Sequence, residues 1–263
     1  MKVRRIWAIV LRQFYLHRRS PSRILDLFYW PTVDLLLWGF VTIYLETSTT
    51  RLPEFVSFFL GALILWNILL RAQQGISVSF LEDVWARNLV NLFVSPLSIV
   101  EYITALLVVS LIKVVLAFGL MSLLAALCYT FNILKLGLII LPLVLNLVAL
   151  GWAIGLLTMG LILRFGQEAE ILAWALAFLF MPVSAVFYPV EVLPSLLQRI
   201  ALFVPSAHAF EGMRQVIIQK GMPVAHLLWA TSLNLVYLLV SGLAFYRAYK
   251  FALEKGVIPK IGE

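Results

Sequence analysis

The sequence predicts an all-α polytopic membrane protein. It reads as six transmembrane helices in one domain over 1–263, with an interfacial helix over 1–22, a short cytoplasmic helix over 81–95 and a re-entrant helical pair over 188–214. Three observations predict this. First, 63% of the residues are apolar and only 13% charged, with a mean hydropathy of +1.00, so the surface cannot be kept in water and lipid must be the solvent. Second, crossing a hydrocarbon core about 30 Å thick takes about 20 residues, and runs of that length fall at roughly 25–45, 55–75, 99–129, 136–163, 170–187 and 225–246. Third, a backbone in lipid must satisfy its own N–H and C=O groups, and these runs are far longer than a barrel strand, so they are helices. Too little chain remains for a separate soluble domain.

The elements follow in order. The first long apolar run begins near residue 25 after seven basic positions, and no small-residue cleavage site follows, so the N-terminus is expected to stay attached. Val3, Ile6, Trp7, Val10, Leu11 and Phe14 repeat at helical spacing, with Arg5, Arg12 and Arg19 on another stripe. Such a helix lies in the membrane interface, its arginines near anionic lipid head groups. Asp34 falls inside span one and Lys113 inside span three, where a charge costs roughly 2.5–3.5 kcal/mol on insertion scales. Both need partners or water. A direct pair would have to bridge roughly 10 Å of depth at about 1.5 Å per residue, part of which a lysine stem can span.

After span two comes a polar insert. Ser79 and Glu82 fit a capping box, Leu81, Val84, Trp85, Asn88, Leu89 and Leu92 line one helical face, and Glu82, Asp83, Arg87 and Asn91 line the other. Ser95-Pro96 then stops this helix and starts the next. Such a helix either covers the end of the bundle or docks a partner through Glu82, Asp83 and Arg87, with the 164–170 turn beside it. Cys128 stands alone in span three and supports no intrachain disulfide.

Between the last two spans the chain is cut by prolines at Pro189, Pro194 and Pro205. Ser195 and Gln198 suggest a capping box, and Pro205-Ser206 opens a second short helix. Irregular backbone at membrane depth survives only where protein or a water-filled cavity covers it, so the segment is expected at the extracellular mouth of a path. His208, Glu211 and Gln215 share a face, and Glu211 can pair with Arg214; these groups either line that mouth or merely satisfy one another.

Orientation comes from the basic residues. With six spans, fourteen of the twenty Lys and Arg residues fall on the side of both termini, which the positive-inside rule makes cytoplasmic. The net charge of +7 is thus a topology signal, and no basic-aromatic nucleic-acid motif accompanies it.

Three stretches together are similar to the membrane subunit of ABC transporters of the ABC-2 class. They are Leu81-Glu82-Asp83-Val84-Trp85-Ala86-Arg87-Asn88 through Ser95-Pro96-Leu97, Tyr188-Pro189 with Leu193-Pro194, and Pro205 through His208, Glu211 and Arg214. The resemblance implies a permease subunit of an ATP-driven exporter in the cell membrane. It also implies pairing with a second copy or a paralogous permease, and docking on a separate cytoplasmic ATPase that carries ATP and Mg. Glu82, Asp83, Val84, Trp85, Arg87 and Asn88 are then the coupling residues, and Tyr188, Pro189, Pro194, Pro205, His208, Glu211 and Arg214 a re-entrant gate. The chain has no Gly-Lys dipeptide and therefore no phosphate-binding G-x-x-x-x-G-K-[ST] loop. No H-E-x-x-H, serine elbow or paired-aspartate motif appears, so neither catalysis nor a metal is expected. A passive channel or membrane assembly scaffold is the competing class.

Overall fold

The computed structural model describes residues 2–48, 53–219 and 221–256. Among these, the regular structure is helical: α1 (Val3–Arg18), α2 (Pro21–Ser48), α3 (Pro53–Trp85), α4 (Leu89–Val94), α5 (Ile99–Tyr129), α6 (Ile140–Phe165), α7 (Leu172–Phe180), α8 (Ser195–Ala201), α9 (Pro205–Arg214) and α10 (Val224–Glu254). Five of them, α2, α3, α5, α6 and α10, are long and apolar enough to cross a membrane. The protein is all-α and multi-pass. Of the basic residues used above, Arg51, Lys220 and Lys260 lie outside the described residues.

Helix α3 is the axis of the bundle: 89% of its apolar window is buried, against 22% for α2 and 17% for α10. Apolar burial gives no net drive between helices in lipid, so close backbone approach and polar contacts must hold them. Both are present. A Cβ on Gly151 of α6 would lie 2.7 Å from the Leu69 carbonyl oxygen and the Ala72 Cβ of α3, so only glycine lets these two helices come this near. Ser110 Oγ of α5 donates to the Ala72 carbonyl at 2.8 Å and accepts from Trp152 Nε1 at 3.0 Å, tying α5 to α3 and α6. Asn234 Nδ2 of α10 donates to the carbonyl and side-chain oxygens of Asn146 at 2.9 Å each, fastening α10 to α6.

The bundle has two distinct ends. At one, Ile9 and Val10 of α1, Phe80 and Val84 of α3, Leu89 and Leu92 of α4, Tyr102 of α5 and Ala248 and Ala252 of α10 share a core. We call this the terminal end, because both described chain ends lie there. At the far end Leu35, Leu60 and Ile64 pack with Met121, Tyr129, Ile133 and Ile140. The 170–187 stretch departs from the expected continuous span. It is helical only over Leu172–Phe180, nine residues or about 14 Å, and turns follow from Met181. It still carries the chain across the bundle: Ala173 is in the terminal core, while the Phe187 ring stacks on Phe59 at 4.6 Å at the far end.

The insert after span two also differs from the expected single helix over 81–95. Helix α3 continues unbroken through Trp85, so Ser79 is mid-helix and the Ser79–Glu82 capping box does not form. Arg87, at φ 50°, turns the chain, and a six-residue α4 follows. The capping box that does form is at the start of α5. Ser98 Oγ accepts from the Glu101 N–H at 3.2 Å and the Glu101 carboxylate accepts from the Ser98 N–H at 3.0 Å, starting α5 just after Pro96. At Ser195 no side-chain cap forms either; Gln198 Nε2 instead donates to the Glu191 and Leu193 carbonyls at 3.1 and 2.8 Å.

Candidate functional site

At the terminal end, α1 is clamped down by buried ion pairs. Its exposed side presents Val3, Trp7, Leu11, Phe14 and Tyr15, as expected of a helix in an interface. Two of its three stripe arginines, Arg5 and Arg12, however, turn inward, while Arg19 is exposed. Arg12 donates through Nη2 to Asp83 Oδ1, and Tyr102 Oη donates to Asp83 Oδ2 at 2.7 Å, with Asp83 and Tyr102 fully buried. Arg5 Nη1 lies 3.4 Å from Glu101 Oε2, whose Oε1 accepts the Lys2 backbone N–H at 2.7 Å. Arg23 Nε pairs with Glu82 Oε1 at 2.8 Å. Burial works against the Arg12 charge, but the hydrogen bond and charge of Asp83 outweigh it and leave the guanidinium pKa above its ordinary value. A buried carboxylate needs such a partner, and these arginines are spent on protein, not on lipid head groups.

The predicted coupling residues therefore separate into two sets. Glu82, Asp83 and Val84 face inward and are held by the bundle itself. Trp85 is 53% exposed, Arg87 is exposed and Asn88 half-buried, and beyond them Val90, Asn91 and Val94 stand out from α4, Val94 by 82%. Trp85 Nε1 donates to Glu170 Oε1 at 2.8 Å, which joins this surface to the turn after α6, where Phe165 and Ile171 are also exposed. Period counting missed the inward turn because it assumed a helix start at Ser79; a run continued from α3 places Phe80, Asp83 and Val84 on the packed face.

At the far end, Arg214 organises the proline-cut segment. It pairs with Glu211, donates through Nη2 to the Tyr188 and Ala185 carbonyls at 2.9 and 3.2 Å, and lies 4.6 Å from the centroid of the Phe58 ring on α3. Glu211 Oε1 also accepts the Val190 N–H at 2.8 Å. Pro189 precedes a short turn over Val190–Val192, Pro194 precedes α8, and Pro205 occupies the first turn of α9, where its missing N–H is harmless. Tyr188 Oη donates to the Pro182 carbonyl at 2.7 Å. His208 Nε2 is 2.9 Å from the Leu202 carbonyl and its ring stacks on Trp229. Glu211 and Arg214 thus gather Ala185, Tyr188 and Val190 into one turn, whereas His208 packs against Trp229 of α10.

The two intramembrane charges do not pair. Asp34 sits beside Asn67, with Arg71 acting on it, whereas Lys113 Nζ donates to Ser79 Oγ at 3.2 Å, toward the terminal end. Among the described residues no group of His, Cys, Asp and Glu side chains is arranged to hold a metal ion.

Compared with known families, the chain matches the model of the family described as ABC-2 type transporter over residues 4–218. That stretch takes in α1 to α9 and both ends of the bundle. No curated protein matches the chain.

Proposed function

Because the chain belongs to the ABC-2 type transporter family, as the membrane-spanning permease subunit of an ABC transporter, we propose that it couples a separate cytoplasmic ATPase to a gate at the far end of the bundle. Two copies, or one copy and a paralogous permease, form the path, and the transport is export of an amphipathic or lipid-linked substrate. The chain itself performs no catalysis; ATP and Mg belong to the partner. The termini are cytoplasmic in this reading, supported by the excess of Lys and Arg on their side, and the membrane is that of the cell.

One observation carries the reading: α3 touches both candidate sites. At Phe58, near its start, it lies under Arg214, and its last turn carries Asp83, locked to α1 and α5. Thirty-three residues at about 1.5 Å each make a rod roughly 50 Å long. Its burial on all sides means that it cannot shift without its neighbours. A load applied at Trp85, Arg87, Val90 and Val94 therefore reaches the bundle as one body. Exposed apolar side chains next to a charged turn are the surface that a coupling partner would cover.

The test is a cysteine at Val94, the most exposed apolar side chain of this surface, in a strain that also expresses the cognate ATPase. A crosslink from Val94→Cys to the ATPase, with ATP-dependent substrate efflux that is lost when residues 85–94 are replaced by a Gly/Ser segment, is the expected result. Efflux that persists in that replacement, or that needs no ATP, would refute coupling and favour a passive channel or scaffold.

A further inference from the structure

Where the end of α1 meets α2, α3 and α5, a cleft opens that neither candidate site uses. His17, Arg23, Asp26, Arg71, Gln74 and Lys113 line it, and it leaves about 20 Å³ for the centres of water-sized groups. One water needs ~10–15 Å³ on such a measure, so one or two oxygen atoms fit. Its cations are poorly satisfied. Arg71 is 93% buried, yet reaches Asp26 only at 3.4 Å (carbonyl) and 3.7 Å (carboxylate), and its Nε has no partner. Lys113 has three N–H donors, and Ser79 Oγ takes one of them.

The charged side chains that line this space are Arg23, Arg71, Lys113 and Asp26; behind them Glu82 pairs with Arg23 and acts on Lys113, and Asp34 acts on Arg71. On the lining itself, three cations face one carboxylate. We propose that the cleft binds a phosphate group carrying a single negative charge, its two free oxygens accepting from Arg71 and Lys113. A phosphodiester of an anionic phospholipid and a free dihydrogen phosphate ion share that chemistry. Position favours the lipid: the adjoining α2 exposes Ile24, Leu25, Tyr29 and Trp30, and α1 exposes Trp7 and Phe14, the side chains that settle at head-group depth. The inference requires only that the chain lies in a bilayer, and stands apart from ATP coupling.

The experiment uses the full chain, stripped of lipid in neutral detergent, and native mass spectrometry with phosphatidylglycerol, phosphatidylcholine or inorganic phosphate at constant ionic strength. Phosphatidylglycerol should bind saturably and more tightly than phosphatidylcholine. Arg71→Gln and Lys113→Met should each weaken it about fivefold, the worth of one basic residue at a lipid surface. Asp26→Asn, a change at a partly exposed side chain that the fold tolerates, should tighten it. Competition by inorganic phosphate identifies a free-ion site, and its absence a lipid site; both support the proposal. Equal binding of the two lipids, or no response to Asp26→Asn, overturns it even where the interior variants fail to fold.

Discussion

Replacing Asp83 by asparagine keeps its shape and removes only its charge, which makes it a sharp test of the α1 clamp. In the native arrangement one carboxylate oxygen takes the Arg12 guanidinium and the other the Tyr102 hydroxyl, and Asp83 has no access to solvent. Asparagine offers a single acceptor oxygen to two donors, and its NH₂ must confront one of them. Breaking a buried ion pair from one side costs about 3–5 kcal/mol. Arg12 is 29% exposed and can be partly rehydrated, so the low end, about 3 kcal/mol or roughly 100-fold in the α1 opening equilibrium, is the expectation. Hydrogen exchange of the α1 amides in micelles reads this directly: exchange should quicken by that factor in Asp83→Asn while α6 and α10 stay unchanged. Arg12→Met should do at least as much, since it strands a carboxylate with Tyr102 as its one remaining partner. The triple replacement Arg12→Met, Asp83→Leu, Tyr102→Phe should recover most of the loss, because no unpaired group stays buried. Additive losses across that cycle, or unchanged α1 exchange in Asp83→Asn, would show that α1 is held by its apolar side alone.

Three further outcomes follow from the geometry. Gly151→Ala pushes a methyl to 2.7 Å from the Leu69 carbonyl oxygen and should cost about 1–3 kcal/mol of thermal stability in detergent, more than the same change at Gly242, where nothing lies within 4 Å. Arg214→Lys loses the planar fork that serves Glu211 and two carbonyls at once and should destabilise the far-end turn by about 2 kcal/mol, read as faster labelling of a cysteine placed at Ala185. His17 is held down to about 4, first by burial and then by the charge of Lys113, so it is neutral in the folded chain while its unfolded form gains a proton below about 6.5. Stability should therefore fall as pH drops from 6.5 toward 4 and level off below, and His17→Gln should flatten that slope in a pH series of melting temperatures.

Much of this fold was legible because lipid leaves few options. A run such as 99–129 can only be a helix, and α5 spans those residues. The weak reading at 170–187 had a physical cause: hydropathy measures what lipid tolerates, not where backbone stays helical, and the chain after Phe180 is covered by α9 and α3 instead of by its own helical bonds. Capping boxes failed for a related reason. Ser79-x-x-Glu82 and Ser98-x-x-Glu101 are equivalent as strings, but only the second follows a proline that has already ended the preceding helix. The inward arginines had a signal that went unused, since Glu82, Asp83 and Glu101 sit within a turn or two of span ends and have to find cations somewhere. The Glu211 and Arg214 pair was legible because it is local, three residues apart on one helix.

What remains is why a membrane helix should be fastened by ion pairs when apolar contact costs less. A buried pair contributes little net stability but penalises every misaligned arrangement, since each slip strands two charges. Three such pairs, Arg5 with Glu101, Arg12 with Asp83 and Arg23 with Glu82, fix α1 and the start of α2 against α3 and α5 in one register. Apolar packing of Ile9 and Val10 alone would let α1 slide at small cost. If α3 transmits a push, a sliding α1 would absorb it, whereas a registered α1 moves with α3 and carries its exposed Trp7, Phe14 and Tyr15 through the interface. Transport should then be more sensitive than stability to the pair's register. Exchanging Arg12 and Asp83 restores the charge pair with reversed polarity beside the Tyr102 hydroxyl, and the expected result is a folded protein with impaired transport. Full transport in that exchange variant would mean that the attraction matters and the register does not.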